Sequence, residues 1–505
     1  MVGRGGAPSR ALAWRPRPRL PRGPHGIRRR ALVTLAEALA LAWGLTYALG
    51  ALTVPSVLLR REARPMAAVS WILALLTVPA LALPGWWLLG RTHLSRRRQR
   101  RQRAHAAFSA ELERDRGGDP NAEAASARLL AVVKAPRELQ EWVFPPSAGN
   151  IARLLTPPDA FKAWEQAIRG AKRHVHALFY IWRDDEVGRK LRDALVERAR
   201  AGVEVRVLYD HVGCLGIGRH FAPLTAAGAQ VVPYLPLRLL TRAPVVNFRN
   251  HRKLLVVDGE VGYVGGINVG AEYLDWFDLA AELRGPAVDQ LQEVFADDWH
   301  FAATEALTES TYFPWAGGSS DPAGTTSCAV VASGPDQRLN ATREMLFLAV
   351  TRAQERAWFM TPYLVPDEAL TAALRAAVYG GADVRLVVPA RSDVGLVRRA
   401  ARVYYPELLE AGVRVFEYDG MLHAKAALFD ADLALVGSAN LDSRSFRYNF
   451  EVVSFLQGEE IAGQLRDTFQ SAFARSSEVE LEAIRRRWVG ARVVDAAAHL
   501  LSPLL

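Results

Sequence analysis

The chain has 505 residues, half of them apolar, so it has room for a membrane segment and about two domains of ordinary size. Its formal net charge of +10 indicates an anionic partner, either nucleic acid or an acidic membrane surface. Its two cysteines, Cys214 and Cys328, lie far apart and lack metal-ligand spacing, which excludes a disulfide framework and a cysteine-based zinc site. A reducing cytoplasmic compartment fits this cysteine usage.

Two long apolar runs near the amino terminus predict a membrane anchor. From residue 31 to residue 59 the only charged residue is Glu37, and residues 66–90 carry no charge. Each run exceeds the roughly 20 residues that cross a bilayer as a helix. We therefore predict two transmembrane helices within residues 31–90, joined by a short turn. A cleaved signal peptide is the alternative, but its apolar part would be shorter and the second run would stay unexplained.

Arginine-rich segments flank these two runs. Residues 1–30 are rich in Arg and Pro and contain no acid, and a second basic segment directly follows the second run. Because loops rich in Lys and Arg stay in the cytoplasm, we expect both outer ends there, and with them the rest of the chain. We predict a basic leader at 1–30 and a basic juxtamembrane linker at 91–148. Much of the positive charge then meets anionic lipid headgroups and does not indicate nucleic acid.

From residue 149 the pattern changes to strands that alternate with helices. Two similar series occur, in residues 149–315 and 316–505, and we take them as two domains. Alternation of this kind predicts an α/β fold, with a mainly parallel or mixed sheet and helices on both faces. Two independent domains are the alternative to one pseudo-two-fold body. The predicted strands include 174–182, 203–209 and 229–234 in the first series, and 357–363, 384–388 and 413–418 in the second.

One motif occurs once in each series with the same internal spacing. Its terminal His and Asn are seventeen residues apart in both copies, from 268 − 251 and 440 − 423. Between them, two apolar stretches joined by a turn predict a β-hairpin. The first copy consists of His251, Lys253, Asp258, Gly265 and Asn268, and the second of His423, Lys425, Asp430, Gly437, Ser438 and Asn440.

Each copy carries the groups that bind a phosphate. His and Lys two residues apart on a strand point to the same face. A turn of small residues can aim backbone N–H groups and polar side chains at an anion. We assign the two lysines and the two asparagines of the motif to the phosphate oxygens. We group Asp258 and Asp430 with the catalytic residues of the motif. For both we favour a structural role, in which side-chain hydrogen bonds anchor the hairpin, and contact with substrate is the alternative.

A carboxylate follows each copy at nearly the same distance. Asp278 lies 27 residues after His251 (278 − 251), and Glu451 lies 28 after His423 (451 − 423). A carboxylate beside an imidazole sets its tautomer and stabilises its protonated form. We therefore expect each acid to orient the histidine of its own copy, with both pairs facing one phosphorus.

The duplicated pattern resembles that of the phospholipase D superfamily, in which two such motifs share one active site, and its flanking sequences are similar to those of bacterial cardiolipin synthases. The resemblance implies two phospholipase D-like α/β/α halves in one chain, paired about a pseudo-two-fold axis and preceded by two transmembrane helices. It extends from about residue 61 to the carboxyl terminus. It rests on the segments NFRNHRK (247–253), GGIN (265–268), TPY (361–363), GSANLDSRS (437–445) and NFE (449–451).

The resemblance also implies a mechanism that needs no metal and no cofactor. His251 attacks the phosphorus of a phosphodiester to give a phosphohistidine. His423 first protonates the leaving alcohol and then deprotonates the incoming one. The family suggests that the first copy supplies the nucleophile, and the reverse assignment stays open. Ser438 is expected to contact the phosphate and Arg444 the headgroup.

The reaction implied by the resemblance joins two phosphatidylglycerols into cardiolipin and glycerol. The expected partners are phosphatidylglycerol and other anionic membrane lipids, with no nucleic acid. The expected place is the inner membrane of a bacterial cell, with several membrane passes and the catalytic domain facing the cytoplasm. A hydrolytic phospholipase D, a membrane-tethered nuclease of the same superfamily and, last, a non-enzymatic membrane scaffold are the alternatives.

An extra apolar segment, residues 235–246, lies between the last predicted parallel strand of the first series and the first motif. It contains Arg238 and Arg242. Our hypothesis is that this segment lines the lipid entrance, with apolar side chains meeting acyl chains and Arg meeting headgroups. A merely structural loop is the alternative.

Overall fold

A computed structural model of the chain divides into two compact units, Met1–Thr92 and His93–Leu505. Most of the predicted leader, most of the juxtamembrane linker and residues 237–246 of the proposed lipid entrance lie outside the described residues. The structure describes residues 24–60, 65–87, 142–236, 248–315 and 324–501, together with Gly3 and Leu129.

The amino-terminal unit contains one long helix and two shorter helices separated by a break at a single residue. Helix α1 spans Pro24–Arg60, α2 spans Pro65–Thr77 and α3 spans Pro79–Gly85. Within the described residues, Glu37–Leu59 is the one helical stretch long and apolar enough to cross a membrane, with 23 residues and a mean hydropathy of 1.5. The second predicted span is interrupted at Val78, because the proline that follows has no N–H to donate and its ring clashes with the preceding turn.

The long helix packs closely against this break. A Cβ atom at Gly50 would lie 2.5 Å from the carbonyl oxygen of Leu75, so only glycine allows the approach. In an unbroken helix the backbone N–H of residue 79 would donate a hydrogen bond to the carbonyl oxygen of Leu75. Pro79 has no N–H, so this hydrogen bond is missing. The Tyr47 hydroxyl donates to the carbonyl oxygen of Thr77 at 3.1 Å. A neighbouring helix thus covers the backbone freed by the break, as in membrane-embedded helices.

The carboxyl-terminal unit is built on a mixed sheet with helices packed on it. In the first half the strands are β1 (Ser147–Leu155), β2 (His174–Phe179), β3 (Glu204–Asp210), β4 (Gln230–Tyr234), β5 (Arg249–Asn250), β6 (Leu254–Val257), β7 (Val261–Gly265) and β8 (Ala280–Arg284). The helices are α4 (Pro157–Gly170), α5 (Glu186–Arg200), α6 (Gly218–Ala226) and α7 (Ala287–Ala303).

The second half repeats this series and adds to its end. Its strands are β9 (Thr326–Ser333), β10 (Arg356–Met360), β11 (Leu364–Val365), β12 (Asp383–Pro389), β13 (Arg414–Tyr418), β14 (Ala426–Phe429), β15 (Leu433–Gly437), β16 (Leu441–Asp442), β17 (Asn449–Gln457) and β18 (Ser476–Glu478). Its helices are α8 (Ala341–Arg352), α9 (Glu368–Tyr379), α10 (Gly395–Ala401), α11 (Tyr405–Glu410), α12 (Glu459–Ala474), α13 (Leu481–Arg485) and α14 (Val489–Leu501).

The two halves join edge to edge in one sheet. From its centre outward the first half runs β1, β8, β7, β6, β2, β3, β4, and the second runs β9, β17, β15, β14, β10, β12, β13, with β18 added at the outer edge. At the centre β1 and β9 pair antiparallel, with Ser147 opposite Cys328 and Asn150 opposite Thr326. The matching orders define a pseudo-two-fold relation about this pair. The two-half α/β fold predicted from the sequence is confirmed.

Alternate strand residues point to the two faces of the sheet and build separate cores. On one face α7 and α12 contribute to a single buried cluster that crosses the junction and includes Val294 and Leu465. On the other face each half has its own core, which includes Trp164 in the first half and Leu374 in the second. The halves therefore share one core as well as one sheet, which favours a single body over two independent domains.

Candidate active site

The two motif histidines lie where the backbone of one half forms hydrogen bonds with the backbone of the other half. His251 directly follows β5, which pairs with the start of β17, and its N–H donates to the carbonyl oxygen of Phe450 at 2.9 Å. The N–H of His423 donates to the carbonyl oxygen of Phe277 at 2.8 Å, in the segment before β8. Each histidine is thereby placed beside the acid-bearing segment of the opposite half.

Each imidazole is paired with the carboxylate of the other half. The Nδ1 atom of His251 lies 3.0 and 3.1 Å from the two carboxylate oxygens of Glu451. The Nδ1 atom of His423 lies 2.6 Å from Oδ2 of Asp278. The expectation that each acid serves the histidine of its own copy is therefore wrong. The two spacings are nearly equal, so they identify the acids but cannot distinguish a pairing within a copy from an exchange between copies.

Burial and these pairs set the charge of the two rings. Desolvation lowers the pKa of His251 to about 4, against the opposing effect of Glu451. Desolvation, and after it the Lys425 ammonium, also lowers the pKa of His423, while Asp278 opposes the shift. Because a carboxylate only accepts hydrogen bonds, the proton of each neutral ring belongs on Nδ1. Lys425 Nζ also lies 3.1 Å from Nδ1 of His423, and with the proton on Nδ1 its hydrogen bond goes to the carbonyl oxygen of His423. Nε2 of each ring then carries the free lone pair.

The two motif lysines lie almost wholly buried beneath the histidines. Lys253 and Lys425 are each 2% exposed, and each ammonium donates to the carbonyl oxygen of the histidine two residues before it. Burial lowers the pKa of both lysines, and the carboxylates Glu451 and Asp278 oppose that effect. Each lysine thus has a buried amino group with one hydrogen bond and an acid of the site nearby.

Both histidines open on one cavity of about 400 Å³. Asn268, Asn440 and Arg444, all expected in the site, line the same cavity. The Asn268 side-chain oxygen accepts from the N–H of Ile181 at 3.2 Å, which leaves its amide NH₂ as the donor toward an anion. The expected substrate contacts of these residues remain predictions.

Ser438 lies behind Glu451 and does not line the cavity. Its side chain is fully buried, donates to a carboxylate oxygen of Glu451 at 2.5 Å and accepts from the N–H of Val452 at 3.0 Å. The expected contact with phosphate is therefore replaced by a positioning role. The equivalent position in the first half is Gly266, where a Cβ atom would lie 2.3 Å from Oδ1 of Asp278. Each acid is thus supported by a different small residue.

Asp258 and Asp430 are separated from the histidines by the length of a strand. Four strand residues lie between the site and Asp258, roughly 13 Å at the rise of an extended chain. Its carboxylate accepts from the backbone N–H groups of residues 172–174, and Asp430 does the same for residues 354–356. Both residues have left-handed backbones, with φ of 55° and 53°. Their placement fits the structural role favoured above, and neither residue lines the cavity.

Several cavity residues were not assigned to the site from the sequence. Tyr180 and Tyr363 line the cavity just after β2 and β10, and Asp393 lines it in the loop after β12. The rings of Tyr180 and His251 are 4.8 Å apart, and the Tyr363 hydroxyl donates to Asp393 at 2.7 Å. The signal that could have found them is their place beyond the carboxyl ends of parallel strands, where α/β folds build their sites.

Arg252, between His251 and Lys253 of the first motif, forms buried hydrogen bonds to residues of both halves. It is 1% exposed, donates to Asp298 at 2.7 Å, and also donates to the backbone oxygens of Glu451 and Ser333 at 3.1 Å each. The equivalent residue of the second motif is Ala424, so this anchor is present on one side only. Arg252 therefore holds the Glu451 backbone, and with it the acid of His251.

A duplicated His–Lys site shared by two α/β halves defines an enzyme of the phospholipase D class. The family described as "Cardiolipin synthase, PLD-like domain" matches residues 165–299 and 346–473. Cardiolipin synthase from Geobacillus thermodenitrificans is 36% identical over 461 residues, which cover 88% of this chain and 89% of that protein. Cardiolipin synthase A from Pseudomonas aeruginosa is 40% identical over 457 residues, which cover 87% of this chain and 90% of that protein.

A solved structure supports the fold. The crystal structure of phosphatidylserine synthase from Haemophilus influenzae matches with a TM-score of 0.54 at 14% identity, covering 70% of this chain and 95% of that one. This chain belongs to the cardiolipin synthase family of the phospholipase D superfamily. It is a membrane-associated phosphatidyltransferase.

Proposed function

We propose that this phosphatidyltransferase joins two phosphatidylglycerol molecules to give cardiolipin and glycerol. The observation that carries the proposal is the crossed pair of histidines. His251 and His423 line one cavity, and the Nδ1 of each meets a buried carboxylate. Phosphatidyl transfer through a covalent intermediate needs a nucleophile on one side of the phosphorus and a proton donor on the other. The two rings supply one group each.

In the first step Nε2 of His251 attacks the phosphorus of the donor lipid. The bond from phosphorus to the glycerol oxygen breaks, and the proton on Nε2 of His423 passes to that oxygen. A pKa near 4 keeps His251 neutral and nucleophilic. Burial and Lys425 disfavour the protonated form of His423, and the negative charge of the bound phosphodiester favours it.

In the second step the headgroup hydroxyl of a second phosphatidylglycerol takes the place of glycerol. Its proton passes to Nε2 of His423, its oxygen attacks phosphorus, and the bond from phosphorus to Nε2 of His251 breaks. Cardiolipin forms and both rings return to their starting states. Glu451 and Asp278 hold the Nδ1 protons throughout and offset the positive charge that each ring acquires.

Charge on the phosphate oxygens is balanced by fixed donors. Lys253 and Lys425 lie beside the histidines, and Asn268 and Arg444 line the cavity. In a buried site such groups act more strongly than in water, because few solvent dipoles screen them. They favour the more highly charged five-coordinate transition state over the bound phosphodiester.

We further propose that the amino-terminal unit crosses the bacterial inner membrane twice. The run from Pro65 to Gly85 is about 31 Å long at helical rise, enough for the hydrocarbon core, and Tyr47 covers its interruption. The Arg-rich flanks favour cytoplasmic ends and a cytoplasmic catalytic unit. A cysteine introduced at position 62 tests this, since both native cysteines are buried. In intact spheroplasts a membrane-impermeant thiol reagent should label it; protection there would reject the topology.

Mass spectrometry of the lipid products tests the reaction. Vesicles of phosphatidylglycerol incubated with the enzyme should yield cardiolipin and glycerol in equal amounts, and His251→Ala and His423→Ala should abolish both. His220→Ala is the control, because His220 also pairs with a carboxylate, Asp184 at 3.0 Å, but lies outside the cavity. Phosphatidic acid as the main product would make the enzyme a hydrolase and reject the proposal.

A further inference from the structure

The polar side of the last helix, α14, packs against neighbouring residues of the catalytic unit. Asp495 is 3% exposed and pairs with Arg487 and with Arg399, the latter at 3.5 Å and on α10. The ring of His499 packs edge-on against Tyr404, with centroids 5.2 Å apart. The side of this helix that carries Asp495 and His499 therefore faces the protein.

The opposite side of α14 is apolar and open. Val489, Val493 and Leu500 are 67%, 61% and 79% exposed, and Trp488, just before the helix, is 78% exposed. Their spacing of four and then seven residues puts the three aliphatic side chains on one stripe. A surface helix of a soluble domain has the reverse arrangement, with its apolar stripe buried. This stripe and Trp488 form the outer face of α14.

The positive charge around this face indicates that its partner is an anionic surface. Residues 485–492 contain four arginines and no acid. The side chain of Arg486 is 78% exposed, and its ion pair with Glu482 at 3.0 Å is a surface pair that a lipid phosphate can replace. Arg492 is exposed within α14 itself. Exposed arginines beside an apolar face and a tryptophan are typical of a helix that lies on an anionic bilayer. Two copies meeting through this face would place like charges together.

The length and position of α14 agree with such a contact. Its 13 residues make a helix of about 20 Å, too short to cross the roughly 30 Å hydrocarbon core, so it would lie in the interface. It packs along α10, and α10 begins directly after Asp393 and Val394, which line the active cavity. We propose that the outer face of α14 binds the surface of an anionic bilayer and holds the mouth of the active cavity against it.

A fluorescent probe on the outer face tests the contact without using the transfer reaction. Val493→Cys in the full-length protein can be labelled selectively, because Cys214 and Cys328 are buried. In vesicles containing phosphatidylglycerol we expect a blue shift and at least a two-fold loss of fluorescence when brominated lipids are present. Tyr379→Cys is the control: this residue is 73% exposed and precedes the amino end of β12, whereas the cavity residue Asp393 follows the carboxyl end of that strand.

Each outcome of the probe experiment decides the proposal. Quenching at position 493 and not at 379 supports it. No quenching at 493, or equal quenching at both positions, overturns it. Disulfide-linked dimers formed through the introduced thiol at position 493, in place of quenching, would assign the face to a second copy and would also overturn it.

Activity gives a second, independent readout. Val493→Glu should lower transfer about ten-fold on phosphatidylglycerol vesicles and leave it unchanged on short-chain, monomeric phosphatidylglycerol. Tyr379→Glu should leave both unchanged. Equal losses of Val493→Glu on both substrates would mean a folding defect and reject the proposal. If the unaltered enzyme made no cardiolipin, the proposed function would fail, while the quenching result would still decide the role of α14.

Discussion

Replacement of Glu451 by Gln tests the crossed pairing most directly. The change removes one negative charge beside His251 and keeps the shape and the hydrogen bond from the side chain of Asn449, 3.0 Å from Oε1. The ring then loses the group that fixes its Nδ1 proton and stabilises its charged phosphorylated form. Because the amide can donate as well as accept, the wrong tautomer becomes available.

The size of the effect follows from the geometry. At the 3.0 Å separation of Nδ1 and Oε2, opposite unit charges interact by about 5.5 kcal/mol at an effective dielectric constant near 20. Loss of a comparable interaction in a His–Asp pair lowers kcat by about four orders of magnitude. We expect Glu451→Gln to lower kcat by about three to four orders of magnitude, with a small effect on KM.

The matched control is Glu282→Gln. Glu282 is also largely buried and pairs with Arg153 at 2.7 Å, but it lies on β8 away from the cavity. Its replacement should leave kcat within a factor of two or so, since a partly exposed ion pair contributes little. A loss of less than ten-fold for Glu451→Gln would refute the assigned role of the acid.

A substrate with a nitrophenol leaving group separates the two acids. Nitrophenolate leaves without a proton, so the first step no longer needs His423 or its acid Asp278. Asp278→Asn should then keep a rapid release of about one nitrophenol per enzyme, whereas Glu451→Gln should lose it. The opposite result would assign the nucleophile to His423 and refute the mechanism proposed above.

Three further substitutions test the supporting structure. Asp430→Ala should lower the free energy of unfolding by about 3 kcal/mol, because three backbone N–H groups lose their acceptor, while Asp430→Asn keeps Oδ1 and should lose less; chemical denaturation measures both. Gly266→Ala should lower kcat about 100-fold by displacing Asp278, whereas Gly218→Ala, with nothing within 4 Å of its Cβ, should not. Burial raises the pKa of Asp442 to about 6 in the folded protein. The stability of the folded protein that depends on this protonated carboxyl is present below about pH 4 and is lost as the pH rises through about 6. Asp442→Asn should therefore raise the melting temperature at pH 8 and leave it unchanged at pH 4.

The repeated motif made much of the site predictable. Strands and turns follow from local patterns, so each motif folds as the predicted β-hairpin, β6 with β7 in the first copy and β14 with β15 in the second. Identical spacing in two copies indicated which polar residues belong together. It could not show the exchange of Asp278 and Glu451, because that depends on how β5 adds to β17 from the other half.

Other differences arise from packing that no local pattern records. Ser438 has the chemistry of a phosphate ligand, and only the three-dimensional structure shows that it is covered by Glu451. The second apolar run reads as one span by composition, yet Pro79 divides it.

The exchange of acids between halves constrains how this gene can evolve. Glu451 with Ser438 serves a ring in the amino-terminal half, and the shorter Asp278 with Gly266 serves a ring in the carboxyl-terminal half. Recombination that replaced one half with that of a distant relative would separate each histidine from the acid fitted to it. Each half therefore depends on the other for a working histidine, although each carries a complete motif.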